Sequence, residues 1–256
     1  MVNFGSIFSG ANWAPLVLAP FIGSFIGVVI RRLPEGRPVL WARSACENCG
    51  TPLLARDLVP LVSWLMLHRR CRRCGHPLGW FYPGVELAAL AVALIAVVVD
   101  GVPQAWLDCL LGWPLLALAW IDLRHWILPD LLTLPLLVVG LVVAAAFYPE
   151  DLADCAIAAV LGYAALWLAA ALYRRLRHRE GLGQGDAKLL AAGGAWLGTA
   201  ALPQIVVIGA LAALVTAAAM RISGVELRAQ SALPFGPFLA AAIWALWLWG
   251  LAPLWS

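Results

Sequence analysis

Two aspartates, Asp122 and Asp186, are the side chains of this sequence best placed for acid–base chemistry. Asp122 follows the apolar run Leu115–Ile121, and Asp186 ends the glycine-rich stretch 181–186 and opens another apolar segment. Ionisable groups at membrane depth are costly, so each is a functional candidate. When two carboxylates lie close together, one stays protonated and the other ionises. The ionised group can take a proton from water while the neutral one donates to a peptide carbonyl oxygen. The pair therefore predicts an aspartic protease dyad at a membrane.

Each aspartate also has an ordinary structural interpretation. Asp is favoured at helix N-caps, which suits Asp186, and Asp122 can cap a helix or pair with Arg124. Two carboxylates at one depth on separate helices favour the dyad over these alternatives. The glycines at 183 and 185 are predicted to let an extended substrate backbone approach closely, because no Cβ intervenes.

Four cysteines form a second candidate site. They occur as two CxxC pairs with 21 residues between them, and a glycine follows each pair: Cys46, Cys49, Cys71 and Cys74. Gly permits the tight backbone that aims two thiolates at one ion, and four sulfurs satisfy tetrahedral zinc. We expect structural Zn²⁺, and the alternative is four free buried cysteines. A closed four-thiolate site leaves no open position, so its role is folding rather than catalysis.

The composition requires that these sites be positioned by membrane helices. Of the 256 residues, 63% are hydrophobic and only 12% are charged, whereas a soluble domain carries roughly a quarter charged residues. The fourteen Trp residues fit the same class, because Trp collects at membrane interfaces. The bilayer is therefore the expected solvent for most of this chain.

A helix needs about 20 mostly apolar residues to cross a bilayer. The sequence predicts an all-α polytopic membrane protein with about eight such helices. The expected segments lie near 13–33, 84–100, 103–121, 128–148, 152–173, 186–200, 201–220 and 234–253. The 186–200 segment is short and rich in Gly and Ala, which allows close helix–helix approach. The expected domains are a first transmembrane helix over 1–33, a cytoplasmic zinc-binding domain over 34–83, and a membrane-embedded peptidase domain over 84–256.

The basic residues predict the orientation. If segment 34–83 lies inside, all 17 Lys and Arg fall on the inner side, while Asp100, Glu150 and Asp151 fall on the other. The positive-inside rule therefore supports both the helix count and a cytoplasmic location for the two aspartates. The basic character of 34–83 is explained by this rule and by attraction to anionic lipid, so no nucleic-acid partner is expected.

These residues resemble the bacterial prepilin peptidases, the type IV leader peptidases, over nearly the whole chain. The resemblance rests on an ordered set of motifs besides the two CxxC pairs. They are Gly23-Ser24-Phe25, Arg32-Leu33-Pro34, Tyr82-Pro83 with Val85-Glu86, Ile121-Asp122, Leu128-Pro129-Asp130, Gly183-Gln184-Gly185-Asp186-Ala187-Lys188 and Pro234-Phe235-Gly236-Pro237-Phe238. Gly27 stands where the family usually has Asn, and Phe81 stands where a basic residue usually precedes Tyr-Pro.

The resemblance implies that Asp122 and Asp186 are the catalytic aspartates of a GxGD protease in the bacterial inner membrane. The implied substrates are type IV prepilins and pseudopilins, whose short leader is cut after a Gly at the cytoplasmic face. The family often also methylates the new N-terminus with S-adenosylmethionine. It places zinc on the four cysteines. The sequence does not locate the S-adenosylmethionine site, and it does not indicate an oligomeric state.

Two other functions use the same acids, and a third does without them. A presenilin-like intramembrane protease also carries GxGD, although the cysteine knuckles and the chain length argue against it. A proton-coupled transporter can use paired acids as relays, but transporters place such acids near the bilayer midplane. An inactive scaffold stapled by zinc would not need Asp122 and Asp186.

Overall fold

The computed structural model describes residues 13–41, 43–46, 48–177, 183–224 and 233–250. This part of the chain is almost entirely helical, as an apolar chain in lipid must satisfy its backbone hydrogen bonds internally. A 3₁₀ turn covers Ala55–Asp57. The α-helices are α1 (Ala14–Arg32), α2 (Val62–Met66), α3 (Phe81–Val99), α4 (Ala105–His125), α5 (Asp130–Phe147), α6 (Leu152–Arg177), α7 (Gln184–Leu197), α8 (Ala201–Ile222) and α9 (Gly236–Trp249).

Each of the eight predicted apolar segments contains a helix. Six of these helices are long and apolar enough to cross a membrane, namely α1, α3, α4, α5, α6 and α8. The other two, α7 and α9, have 14 residues each. The expected fold class, an all-α polytopic membrane protein with the cysteine segment between its first two long helices, is confirmed.

The chain forms two compact units, Met1–Trp113 and Pro114–Ser256. In the first unit, α1 packs directly against α3. This contact is close because Gly23 has no side chain: a Cβ there would lie 2.7 Å from the Glu86 Cα. The domain boundaries expected after residues 33 and 83 stay a prediction.

The short helix α7 lies at the centre of the second unit. It packs against α5, α6, α8 and α9, and every residue from Asp186 to Leu197 except Lys188 is buried. A Cβ on Gly194 would lie 2.6 Å from the Ala158 carbonyl oxygen of α6. The Gly and Ala content of this segment therefore serves close packing against neighbouring helices, as predicted.

Candidate active site and metal centre

The two aspartates come from separate helices of the second unit. Asp122 lies in the last turn of α4 and Asp186 lies in the first turn of α7. Their side chains are buried, with 6% and 8% exposure, and the two carboxyl groups are near enough to interact electrostatically. Gly183 occupies the N-cap position of α7, so Asp186 is not the N-cap that its sequence context allowed.

Gly236, the first residue of α9, positions the Asp122 carboxylate. Its backbone N–H donates a hydrogen bond of 3.0 Å to Asp122 Oδ2. A Cβ on Gly236 would lie 2.7 Å from the same oxygen, so this approach requires glycine. The positive end of a helix dipole favours a negative group there. The sequence motif around Gly236 does not by itself indicate this role. The available signal was a glycine flanked closely by two prolines at the start of an apolar helix.

Leu128 packs against both glycines next to the aspartates. A Cβ on Gly185 would lie 2.7 Å from the Leu128 Cβ, and one on Gly236 would lie 3.2 Å from its Cδ1. The absence of a side chain at Gly185 therefore leaves room for the buried Leu128. Gly183 is exposed, and a Cβ there would make an ordinary 3.5 Å contact with Asp186 Oδ2. The predicted contact of Gly183 and Gly185 with a substrate backbone stays a prediction.

A third acid near the motif has a separate partner. Asp130, in the first turn of α5, accepts a hydrogen bond of 2.5 Å from the Lys188 ammonium group on α7. Lys188 follows Asp186 by two residues, so this ion pair ties the start of α5 to the start of α7 beside the candidate dyad. Asp130 is more than half exposed, whereas Asp122 and Asp186 are buried.

The structure brings the four predicted cysteine ligands together in the first unit. All four Sγ atoms of Cys46, Cys49, Cys71 and Cys74 lie within 4.8 Å of one another. The Cys46 and Cys74 Sγ atoms are 3.8 Å apart. Tetrahedral zinc with Zn–S bonds of about 2.3 Å requires S···S distances of about 3.8 Å. The cluster therefore has the dimensions of a four-thiolate metal site.

The two CxxC halves of the cluster have the same backbone hydrogen-bond pattern. Gly50 donates to the Cys46 carbonyl at 2.9 Å, and Gly75 donates to the Cys71 carbonyl at 3.0 Å. Both glycines have positive φ, 66° and 68°, which few other residues adopt readily. Hydrogen bonds with the Thr51 side chain and backbone lower the pKa of Cys49 to about 6. The thiolate form that metals bind is thereby favoured.

Comparisons with known proteins cover most of the chain. The sequence model of the bacterial peptidase A24 N-terminal domain matches residues 17–99, and that of the type IV leader peptidase family matches residues 109–218. A Burkholderia pseudomallei protein named prepilin leader peptidase/N-methyltransferase is 41% identical, with 94% of this chain and 86% of the relative covered.

Relatives with the same name occur in other bacteria. The one from Aeromonas hydrophila is 40% identical over 90% of this chain and 87% of its own. The one from Pseudomonas aeruginosa is 36% identical over 92% of this chain and 89% of its own. No solved structure matches the chain at a significant level.

Proposed function

Since this chain belongs to the type IV leader peptidase family, we propose that it removes the short leader of prepilins and pseudopilins as an aspartic endopeptidase. The observation that carries this proposal is the pair of buried, interacting carboxylates that α4 and α7 contribute. The two aspartates are far apart in the sequence, so only the fold brings their carboxyl groups together.

In the proposed mechanism Asp122 and Asp186 share one proton. The ionised carboxylate takes a proton from water, which attacks the peptide carbonyl carbon, and the neutral carboxyl donates its proton to the carbonyl oxygen. The Gly236 N–H holds Asp122 in place for this reaction. Cleavage falls after a Gly, at the junction between the polar leader and the apolar segment of the substrate.

The second proposed activity is N-methylation of the new N-terminus with S-adenosylmethionine as methyl donor. The support is the name that the relatives carry, prepilin leader peptidase/N-methyltransferase, together with the match of the N-terminal family domain to residues 17–99. The protein would then act twice on one substrate, first on its leader and afterwards on the freed amine.

We also propose that the four cysteines hold one Zn²⁺ ion with a structural role. The sulfur positions and the paired glycine turns support this, as described above. Loops without a large hydrophobic core lie around the cluster, and small domains of that kind depend on a metal or a disulfide for stability. All four thiols are free, which suits a metal site.

The proposed location is the bacterial inner membrane, with the dyad at the cytoplasmic face. The protein is multi-pass, as its six long apolar helices require, and the distribution of Lys and Arg supports the orientation. The presenilin-like protease and the transporter are not favoured, because the relatives and both family domains point to leader peptidases.

The test is mass spectrometry of a prepilin incubated in detergent with the purified protein, with and without S-adenosylmethionine. We expect a cut after the leader Gly, and a further mass of one methyl group on the mature N-terminus when the donor is present. Asp122→Ala and Asp186→Ala should each abolish the cut. Asp151→Ala, in the turn between α5 and α6, is the matched control and should cleave normally. Cleavage by either dyad variant at the parent rate would exclude the assignment.

A further inference from the structure

Helix α2 and the residues that flank it have two faces. The inner face lines a cavity of about 490 Å³ in the first unit and consists of Leu61, Trp64 and Leu67. The outer face does not line the cavity and consists of Val62, Leu65 and Met66, which are 50%, 64% and 73% exposed. Residues three and four apart are neighbours on a helix, so these three side chains form one apolar surface. Such a surface indicates a partner.

We propose that this outer face is embedded in the membrane, at the boundary between the headgroups and the acyl chains of the leaflet where α1 ends and α3 begins. The cysteine segment is then held against the bilayer at its middle as well as at its two ends. This contact differs from a general attraction of basic residues to anionic lipid, because it involves an apolar face at a defined depth. It does not depend on the proposed catalytic activity.

A hydrogen bond determines the depth of α2. The Leu61 N–H, directly before α2, donates to Glu86 Oε2 at 2.8 Å. Glu86 lies five positions after Phe81, the first residue of the membrane-spanning helix α3, which corresponds to about 7.5 Å along the helix axis. Interfacial helices bury their apolar face about 5–10 Å into the boundary between headgroups and acyl chains. The start of α2 therefore lies at the depth that an interfacial helix adopts.

The residues around α2 suit the headgroup layer. The rings of Trp64 and Trp80 have centroids 4.5 Å apart, and the Arg69 guanidinium lies over both, 5.2 Å and 5.0 Å from their centroids. Trp80 is the N-cap of α3, and Trp collects at membrane interfaces. Among the described residues, no carboxylate forms an ion pair with Arg69. Its charge is therefore available to a lipid phosphate, which arginine binds well.

Lipid suits this face better than a second protein chain does. A specific protein interface buries about 1,200–2,000 Å² in total, far more than three side chains of one helical turn supply. Lipid contact needs no such area, because α1 and α3 already hold the segment at the membrane. The hydrogen bond to Glu86 also keeps the face at a depth where acyl chains begin.

Photocrosslinking from α2 tests the proposal. The purified full-length protein carries p-benzoylphenylalanine in place of Met66 and is reconstituted in nanodiscs of phosphatidylethanolamine and phosphatidylglycerol. After irradiation and digestion, mass spectrometry identifies the peptides that have gained the mass of one lipid. We expect a lipid adduct on the peptide that contains residue 66.

Asn48, an exposed residue of the first CxxC pair, is the matched control position. Asn48→p-benzoylphenylalanine should give several-fold less lipid adduct than Met66→p-benzoylphenylalanine. Size-exclusion chromatography and thermal unfolding check that each variant is folded. Equal lipid adducts at the two positions would overturn the proposal. Cross-linking of residue 66 to a second copy of the chain, or no adduct in the folded protein, would also overturn it.

The headgroup contact of Arg69 is tested in the same nanodiscs. The two lipids differ in mass, so the ratio of their adducts reports which lipid lies next to α2. One arginine near an anionic surface favours it by about fivefold, so Arg69→Gln should lower the proportion of phosphatidylglycerol adduct by about that factor. Arg56→Gln, in the 3₁₀ turn, is the matched control and should keep the parental ratio. An unchanged ratio in Arg69→Gln, or an equal decrease in both variants, would refute the contact.

Discussion

At the scale of single residues, a glycine sets the position of the Asp122 carboxylate. Gly236 brings its N–H within 3.0 Å of Asp122 Oδ2, and any larger residue would place a Cβ 2.7 Å from that oxygen. The neighbouring Leu128 fills the space next to both Gly236 and Gly185. The carboxylate is therefore held by backbone and packing, and no cationic side chain is needed to orient it.

Gly236→Ala should reduce leader cleavage by about 10²-fold, because displacing a reacting group by about 1 Å costs that much. The measurement is the initial rate of prepilin cleavage in detergent. Gly209→Ala is a suitable control. Gly209 lies in α8, and a Cβ there would make an ordinary 3.4 Å contact with the Leu239 Cδ2 of α9, the helix that Gly236 begins. If Gly236→Ala and Gly209→Ala cleave equally fast, the Gly236 N–H does not position the dyad.

At the scale of helices, α7 is short and is buried along most of its length by neighbouring helices. Its 14 residues span about 21 Å at 1.5 Å per residue, less than the roughly 30 Å of a bilayer core. A helix enclosed by α5, α6, α8 and α9 does not need to reach both surfaces. With Asp186 at the cytoplasmic face, as proposed, the C-terminal end of α7 would lie within the apolar layer.

Gly194→Ala should destabilise the protein by about 1–3 kcal/mol, the usual cost of overpacking a core. The added methyl group would lie 2.6 Å from the Ala158 carbonyl oxygen, and backbone atoms of α6 cannot move aside as a side chain can. Denaturant unfolding in detergent measures the effect, with Gly209→Ala again as the control. Equal stability of the two variants would show that α6 and α7 are not in such close contact.

We expect the cysteine segment to depend on a bound metal ion for its stability. Elemental analysis of protein prepared without chelators should find about one zinc ion per chain, and Cys46→Ser should lower both this content and the unfolding temperature. Cys109→Ala changes a buried cysteine outside the cluster and should keep the metal. A metal-free preparation of the unsubstituted protein would refute the zinc assignment.

At the scale of the whole molecule, charge and helix length together predict the arrangement in the membrane. Six helices have the length and apolarity to cross, while two shorter helices, α7 and α9, lie in the second unit. The orientation deduced from the basic residues puts Glu35, before the cysteine segment, inside and Glu150 outside. The two positions are separated by three long helices, α3, α4 and α5.

Labelling with a membrane-impermeant maleimide tests this orientation. In bacterial spheroplasts, Glu150→Cys should react, whereas Glu35→Cys should react only after the membrane is opened. The parent protein provides the background of its native cysteines. Reaction of both introduced cysteines from the same side would mean that the helix count between them is wrong.

The sequence by itself determined the class of the protein, since composition and apolar segment length report directly on the solvent of each segment. It also predicted which four cysteines cluster, because the spacing within each CxxC pair is local and the following Gly50 and Gly75 dictate the turn. The two aspartates were identified for a similar reason, as rare acids at the ends of apolar runs.

Only the tertiary structure decided how those acids are held. The Gly236 N–H on Asp122, the packing of Leu128 on Gly185 and the Lys188–Asp130 ion pair join residues 57 to 114 positions apart. No helical period or local motif encodes such contacts, which depend on how whole helices pack. The same holds for Glu86, which is buried beside a cavity although its sequence context does not predict that position.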